Sequence, residues 1–176
     1  MSVWRKIFGS PVPEEIRTRL SDGEHVLAAT GTADGGHVAV TALGLWVPET
    51  GGARRIGWDL ISKAGWSGDA LTVVEAEIAD RAGEAVVLRD LPPARHVLPE
   101  PGRIPFLVRQ RVEGSIRSRY RKELPGGGAW FVVRKLPGTD GVVLQVRPDK
   151  GTEPDVVRGI AEEAAAKLAN GRGLAD

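Results

Sequence analysis

The close spacing of turn signals between residues 24 and 91 constrains the fold most strongly. Glycine and aspartate favour tight turns, because glycine adopts positive φ without steric cost. The stretches between these turns are too short to hold a crossover helix, which excludes parallel β-α-β units and predicts antiparallel strands. The turn signals are Asp34–Gly36, Pro48–Gly52, Ser67–Asp69 and Asp80–Gly83.

Two helices are predicted on either side of this strand-rich region. The first covers residues 11–20, where Ser10 is a candidate N-cap. The second covers residues 104–124, after a loop at 92–101 that holds four prolines. Apolar residues recur there at helical spacing, with some drift towards the end: Ile104, Leu107, Val108, Val112, Ile116 and Tyr120.

The C-terminal part of the chain predicts a β-hairpin and a helix. The hairpin joins Trp130–Leu136 to Val142–Val146 through a Pro-Gly-Thr-Asp-Gly turn. The helix covers residues 153–170 and has a clear amphipathic stripe. The chain is therefore expected to be an α+β protein. It divides into a segment at 1–23, a domain at 24–124, and a part at 125–176 that is either an appendage or the completion of the same domain.

Composition narrows the class of protein. The chain has 176 residues, of which 41% are hydrophobic and 27% charged, as in ordinary globular proteins. It has no cysteine, which excludes disulfides, thiolate zinc sites and a cysteine nucleophile. No apolar run reaches the length of a membrane span, and Met1–Ser10 lacks the apolar region of a signal peptide. We therefore expect a cytoplasmic protein.

Positive charge is concentrated in one segment. The net charge is +1, yet residues 103–123 hold seven cations against two acids, a balance of +5 that leaves −4 for the rest of the chain. One interpretation is a surface for phosphates, anionic lipids or an acidic partner. The other is a solvated helix face whose arginines pair with acids of the same chain. The candidate surface consists of Arg109, Arg111, Arg117, Arg119, Arg121 and Lys122.

Signals for catalysis are weak. His25, His37 and His96 are not spaced for metal binding on one helix. The Gly65–Asp69 segment misses the nucleophile-elbow pattern by one position and predicts a turn instead. Gly126–Gly128 lacks the Lys-Ser or Lys-Thr of a phosphate-binding loop and is followed by a strand. We therefore predict no catalytic residues, no metal site and no cofactor.

Tryptophan supplies five of the nine aromatic residues. Trp46 and Trp58 are expected to be at least half buried, Trp46 sharing a face of a continuous His37–Val47 strand with Val40. The alternative is a stacking platform for bases or a ligand, for which Arg54 beside Trp58 is the only local arrangement.

Three successive segments carry a resemblance to a known family. His25–Ala29, Asp34–Val47 and Arg55–Ile61 together resemble the bacterial pleckstrin-homology-like and GRAM-like domains. The resemblance covers about residues 24–123, and the composition is similar to that of actinobacterial proteins. It implies an antiparallel β-sandwich or half-open barrel closed at one end by a capping helix, which is either 104–124 or 153–170.

The resemblance also implies a function. Such domains are non-catalytic interaction modules that bind through the groove beside the capping helix, through strand edges or through loop ends. A protein partner is therefore expected, and nucleic-acid or anionic-surface binding through a basic helix at 103–122 is the alternative. Phosphoinositide binding is not expected at the first hairpin loop, because Ala33–Gly36 is acidic and has no Lys or Arg.

Overall fold

The computed structural model of the chain describes residues 11–173, which form two compact units. Among these residues, unit 1 contains 11–75 and 92–114, and unit 2 contains 76–91 and 115–173. Each unit combines mainly antiparallel strands with helix, which confirms the α+β class.

The first sheet of unit 1 has four antiparallel strands in chain order. A one-turn helix, α1 (Glu14–Arg17), precedes it and is all that remains of the predicted helix at 11–20. The proposed cap, Ser10, lies outside the described residues. The strands are β1 (Val26–Gly31), β2 (His37–Thr41), β3 (Gly44–Glu49) and β4 (Gly52–Gly57).

The rest of unit 1 follows a single 3-10 turn. β5 (Ile61–Ser67) pairs with the first part of β6 (Ala70–Ala82), which also pairs with β8 (Ala94–Val97). The sequence predicted a loop throughout 92–101, which is wrong for β8. The four prolines lie before and after this strand and not within it. They therefore remove none of its backbone hydrogen bonds. Helix α2 (Ile104–Ser115) completes the unit.

The turn between β2 and β3 changes which side chains share a face. The sequence predicted one strand over His37–Val47, but the chain turns tightly between Thr41 and Gly44. Ala39 therefore pairs with Trp46 across the sheet. Trp46 packs on the opposite face from Val40, so their predicted common face is wrong. The predicted burial of Trp46 is confirmed, since only 3% of it is exposed.

The main core of unit 1 combines strand residues with one face of α2. The predicted helical stripe contacts the sheet as expected, through Ile104, Leu107, Val108 and Val112. Trp58 lies in this core and donates from Nε1 to the Thr41 carbonyl at 3.0 Å. The strand residues of the cluster are Val38, Val40, Leu45, Val47, Ile56, Ile61, Leu71 and Val73.

A buried carboxylate lies beside the second, smaller cluster of unit 1. The side chain of Glu24 is fully buried. It accepts hydrogen bonds from Thr41 Oγ1 (2.6 Å), Trp46 Nε1 (3.1 Å) and the Ser21 N–H (3.0 Å), and Arg55 forms an ion pair with it. Burial alone would raise the pKa of Glu24, but these donors and the Arg55 charge outweigh burial and hold the pKa below its ordinary value.

Unit 2 contains the remainder of β6 and four further strands. The order is β6-β7-β11-β10-β9. All neighbours are antiparallel except β7 and β11, which are parallel. Helix α3 (Pro154–Gly173) follows the sheet. The strands are β7 (Ala85–Asp90), β9 (Ile116–Leu124), β10 (Gly127–Lys135) and β11 (Val142–Pro148).

One face of this sheet packs against α3. Phe131 and Val146, both fully buried, belong to the cluster on this face. The predicted hairpin and C-terminal helix are therefore confirmed. The helix contributes small residues at helical spacing, which allow close approach to the sheet. Its buried residues are Val157, Ala161 and Ala165.

The predicted helix at 104–124 is wrong after Ser115. The chain changes there from α2 to β9, which pairs with β10 over almost its whole length. Gly114 weakens the end of the helix. The following residues alternate between Arg or Glu and other side chains, which suits the two-residue period of a strand, and β10 supplies the hydrogen-bonding partner.

Candidate binding groove

The predicted cationic surface is divided between two elements. Arg109 and Arg111 lie on α2 in unit 1, whereas the other four residues lie on β9 in unit 2. No single basic helix exists at 103–122, because only its first part is helical. The β9 residues are Arg117, Arg119, Arg121 and Lys122.

Two of these six cations are paired within the chain. Arg109 forms an ion pair with Glu113 one helical turn away (3.0 Å). Arg121 contacts both Glu123 (2.9 Å) and Asp149, and these hydrogen bonds raise the pKa of Arg121 and lower that of Asp149. The remaining four, Arg111, Arg117, Arg119 and Lys122, form no ion pair with any described residue.

A groove of about 530 Å³ lies in unit 1, between β5 with the start of β6 on one side and α2 on the other. This volume is in the range of sites that bind small molecules or peptide side chains. The sequence did not single out its residues. They are Ala64, Gly65, Trp66, Leu71, Pro105, Phe106, Val108, Arg109, Val112 and Glu113.

On the strand side of the groove, β5 supplies one aromatic side chain, Trp66. Trp66 pairs with Leu71, and Ala64 pairs with Val73, so these side chains point to the core face of the sheet. The Ser67–Asp69 turn follows at once, with Gly68 at φ +65°. Trp66 therefore lies at the end of the core face, where it remains 38% exposed.

The helix side of the groove comes from α2. Val108 and Val112 face the core and form its apolar floor. Phe106 lies outside the buried stripe and is 62% exposed, although it is large and apolar. Arg109 and Glu113 form the rim, and their ion pair leaves it without net charge.

An open strand edge borders the groove. Within residues 11–173, β5 is the end strand of its sheet and pairs with β6 alone. Such an edge presents backbone N–H and C=O groups to a further extended chain. The site therefore offers backbone hydrogen bonds together with an apolar pocket flanked by two aromatic side chains, the combination used to bind extended peptides.

The exposed tryptophans are not the one that the predicted stacking platform used. Trp58 is 3% exposed, which confirms its predicted burial and shows that pairing it with Arg54 as a platform was wrong. Trp66 and Trp130 are the exposed ones, and Trp4 lies outside the described residues. The available signal for Trp66 was its position next to a turn, where the end of a strand is only partly covered.

The three histidines lie in unit 1 at separate places. His37 Nδ1 contacts Glu15 at 2.6 Å. Burial lowers the pKa of His96, which favours its neutral form. No three His, Asp or Glu side chains within residues 11–173 are grouped closely enough to hold a metal ion.

Comparisons with known proteins found no match. No protein-family model matches the chain, and neither the curated proteins nor the solved structures contain a match. Among the helices described between residues 11 and 173, none has the length and apolar character needed to cross a membrane.

Proposed function

We propose that the protein is a non-catalytic interaction module of the pleckstrin-homology-like class, acting in the cytoplasm on a protein partner. Its ligand is an extended peptide segment that pairs with the edge of β5 and inserts a large apolar side chain between Trp66 and Phe106. The α2 helix acts as the capping helix of unit 1 in this proposal, since its apolar stripe packs against the strands.

The observation that carries the proposal is the exposure of two large aromatic residues on opposite sides of one groove. An exposed Phe on a helix loses the free energy that burial would supply, about 2 kcal/mol. Exposed apolar patches on otherwise ordinary surfaces often mark interaction sites. The neutral rim formed by Arg109 and Glu113 adds no preference for a strongly charged ligand.

Selection of peptides from a random library displayed on phage tests this function. The selected peptides are expected to carry a large apolar residue and to bind Phe106→Ser and Trp66→Ser about thirtyfold more weakly than the wild type, equivalent to about 2 kcal/mol for each hot spot. Chemical-shift changes on binding are expected at Ala64–Trp66 and along α2.

Leu27→Ser is the matched control, because Leu27 is an exposed apolar residue of the same unit outside the groove. This variant is expected to bind the selected peptides like the wild type. Thermal melting of each variant distinguishes lost binding from lost folding. Selected peptides that bind both groove variants at full strength would refute the proposed site.

A further inference from the structure

The strand β9 forms a second open edge, on unit 2. Within the described residues β9 ends the strand order of its sheet and pairs with β10 alone. Its residues 117–123 are all exposed, whereas Leu124 is buried. The edge therefore presents a row of backbone donors and acceptors available to another extended chain.

The strand β9 carries a concentrated positive charge. Residues 116–124 carry four cations and one acid, a balance of +3. Arg119 and Arg121 alternate along the regular part of the strand and so point to one face, about 7 Å apart. Arg117 lies at a register shift between β9 and β10, where the alternation is interrupted. Arg121 is held by Asp149 and Glu123, but Arg117 and Arg119 have no ion pair among the described residues.

This charge excludes a second copy of β9 as the natural occupant. Pairing two such strands would bring +3 against +3, and like charges in cross-strand positions are destabilising. An acidic strand has the opposite effect. Asp or Glu at every second position repeats with the spacing of Arg119 and Arg121, and a further carboxylate beside the register shift can meet Arg117.

The strand edge favours a peptide over a nucleic acid. Phosphates accept hydrogen bonds but do not donate them, so a phosphate backbone can pair only with the N–H groups of the edge and leaves its carbonyls to water, whereas a peptide strand pairs with both. The neighbouring aromatic rings are also engaged within the chain: Tyr120 stacks on Phe131 (5.1 Å between centroids), and the Arg121 guanidinium lies over Trp130 (5.9 Å).

We propose that β9 binds an extended acidic segment of a partner protein by strand addition, with Asp or Glu residues facing Arg119 and, beside the register shift, Arg117. This surface differs from the groove of unit 1 in both location and ligand chemistry. The proposal therefore does not depend on the function assigned to that groove.

A set of synthetic peptides tests the proposal on the full chain. The first peptide alternates Glu with Val or Thr, the second has the same composition with its glutamates clustered, and the third has Lys in place of Glu. A fourth repeats the first with alternate backbone nitrogens methylated. We expect measurable binding of the first, weaker binding of the second, and none of the third or fourth, because methylation removes backbone donors.

Charge-reversal variants locate the site. Arg117→Glu/Arg119→Glu is expected to bind the alternating peptide at least about tenfold more weakly. Arg17→Glu/Arg103→Glu is the control with the same change in net charge, because both arginines are exposed and unpaired among the described residues. Its affinity is expected to change by less than about twofold. Melting curves verify that both variants fold.

Several results would overturn the proposal. These are absence of binding by the alternating peptide at millimolar concentration, equal binding by its N-methylated form, or an equal loss of binding in the control variant. Tighter binding of a single-stranded oligonucleotide than of the peptide, lost in the Arg117→Glu/Arg119→Glu variant, would assign this edge to nucleic acid instead.

Discussion

The helices α2 and α3 each cover the core of one unit, but they differ in what they leave in solvent. α2 has twelve residues and exposes Phe106 beside the groove. α3 has twenty residues, and none of its large apolar side chains up to Gly171 is exposed. A covering helix does not need an exposed Phe for packing. We therefore interpret α3 as a helix that only covers a core, and α2 as a helix that covers a core and also contributes to a binding surface.

The two cores also differ in composition. Unit 1 buries large side chains around α2 and holds an ionised Glu24 near its second cluster. Unit 2 includes more small residues, with alanines from both the sheet and α3 in the cluster that contains Phe131, and it also buries the polar side chains of Arg134 and Gln145. The buried carboxylate should therefore make the stability of unit 1 depend on pH, and the small residues of α3 should make unit 2 sensitive to added volume.

The largest effects are expected from truncating the central aromatic residue of each core. Trp58→Ala and Phe131→Ala should each lower the free energy of unfolding by about 3–5 kcal/mol, because both side chains are almost fully buried. Urea unfolding followed by circular dichroism measures the loss. A cost below about 1 kcal/mol for either variant would show that the corresponding cluster is not a core.

An intermediate effect is expected from Glu24→Gln in unit 1. The amide replaces a carboxylate that accepts several hydrogen bonds, so the free energy of unfolding should fall by about 2 kcal/mol at pH 7. The folded-state pKa of Glu24 lies below its unfolded value. The stability that Glu24 contributes is therefore present above the unfolded pKa and is lost as the pH falls through the folded pKa.

Unfolding measured between pH 7 and pH 3 tests this sign. The difference in stability between wild type and Glu24→Gln should shrink on acidification. Glu113→Gln is the control, since Glu113 is an exposed glutamate. A constant difference across the range would mean that the carboxylate is not ionised in the folded protein.

The smallest effects are expected for ion pairs on the surfaces of the two units. Arg54 contacts Glu75 with two hydrogen bonds (2.9 and 2.6 Å), and Arg54→Gln should cost about 0.5 kcal/mol. Arg158→Gln, which removes the contact with Asp80, should cost less because Asp80 is more exposed than Glu75. Both losses should diminish in high salt, which screens exposed pairs. A larger loss of stability in Arg158→Gln than in Arg54→Gln would contradict this expected order.

Most strands of residues 24–91 were predictable because their turns carry local signals that need no tertiary information, but β5 (Ile61–Ser67) and the turn between β2 and β3 were missed. The change from α2 to β9 was not predictable. Ile116 and Tyr120 satisfy both the helical spacing and the strand alternation, and pairing with β10, distant in sequence, decides between them. The face of the sheet on which Trp46 lies was also predicted wrongly. The tight turn before β3 was missed, and one missed turn shifts the alternation of all residues that follow it.

The groove was beyond prediction for a related reason. The exposed fraction of Trp66 and Phe106 depends on how closely α2 approaches β5, which is a tertiary property. The arginines were identifiable as a concentration of charge, yet their division between α2 and β9 required the secondary structure. Local patterns therefore located the charged residues, and packing determined which of them share a surface.

The interleaved composition of the two units has a consequence for synthesis on the ribosome. Unit 1 is complete once residue 114 has emerged, but β7 emerges earlier than all three strands that complete its sheet. Val87 is buried in a cluster that β10, β11 and α3 complete, so it stays uncovered until these elements have been translated. During this interval the nascent chain exposes an apolar strand, the kind of segment that chaperones protect from aggregation.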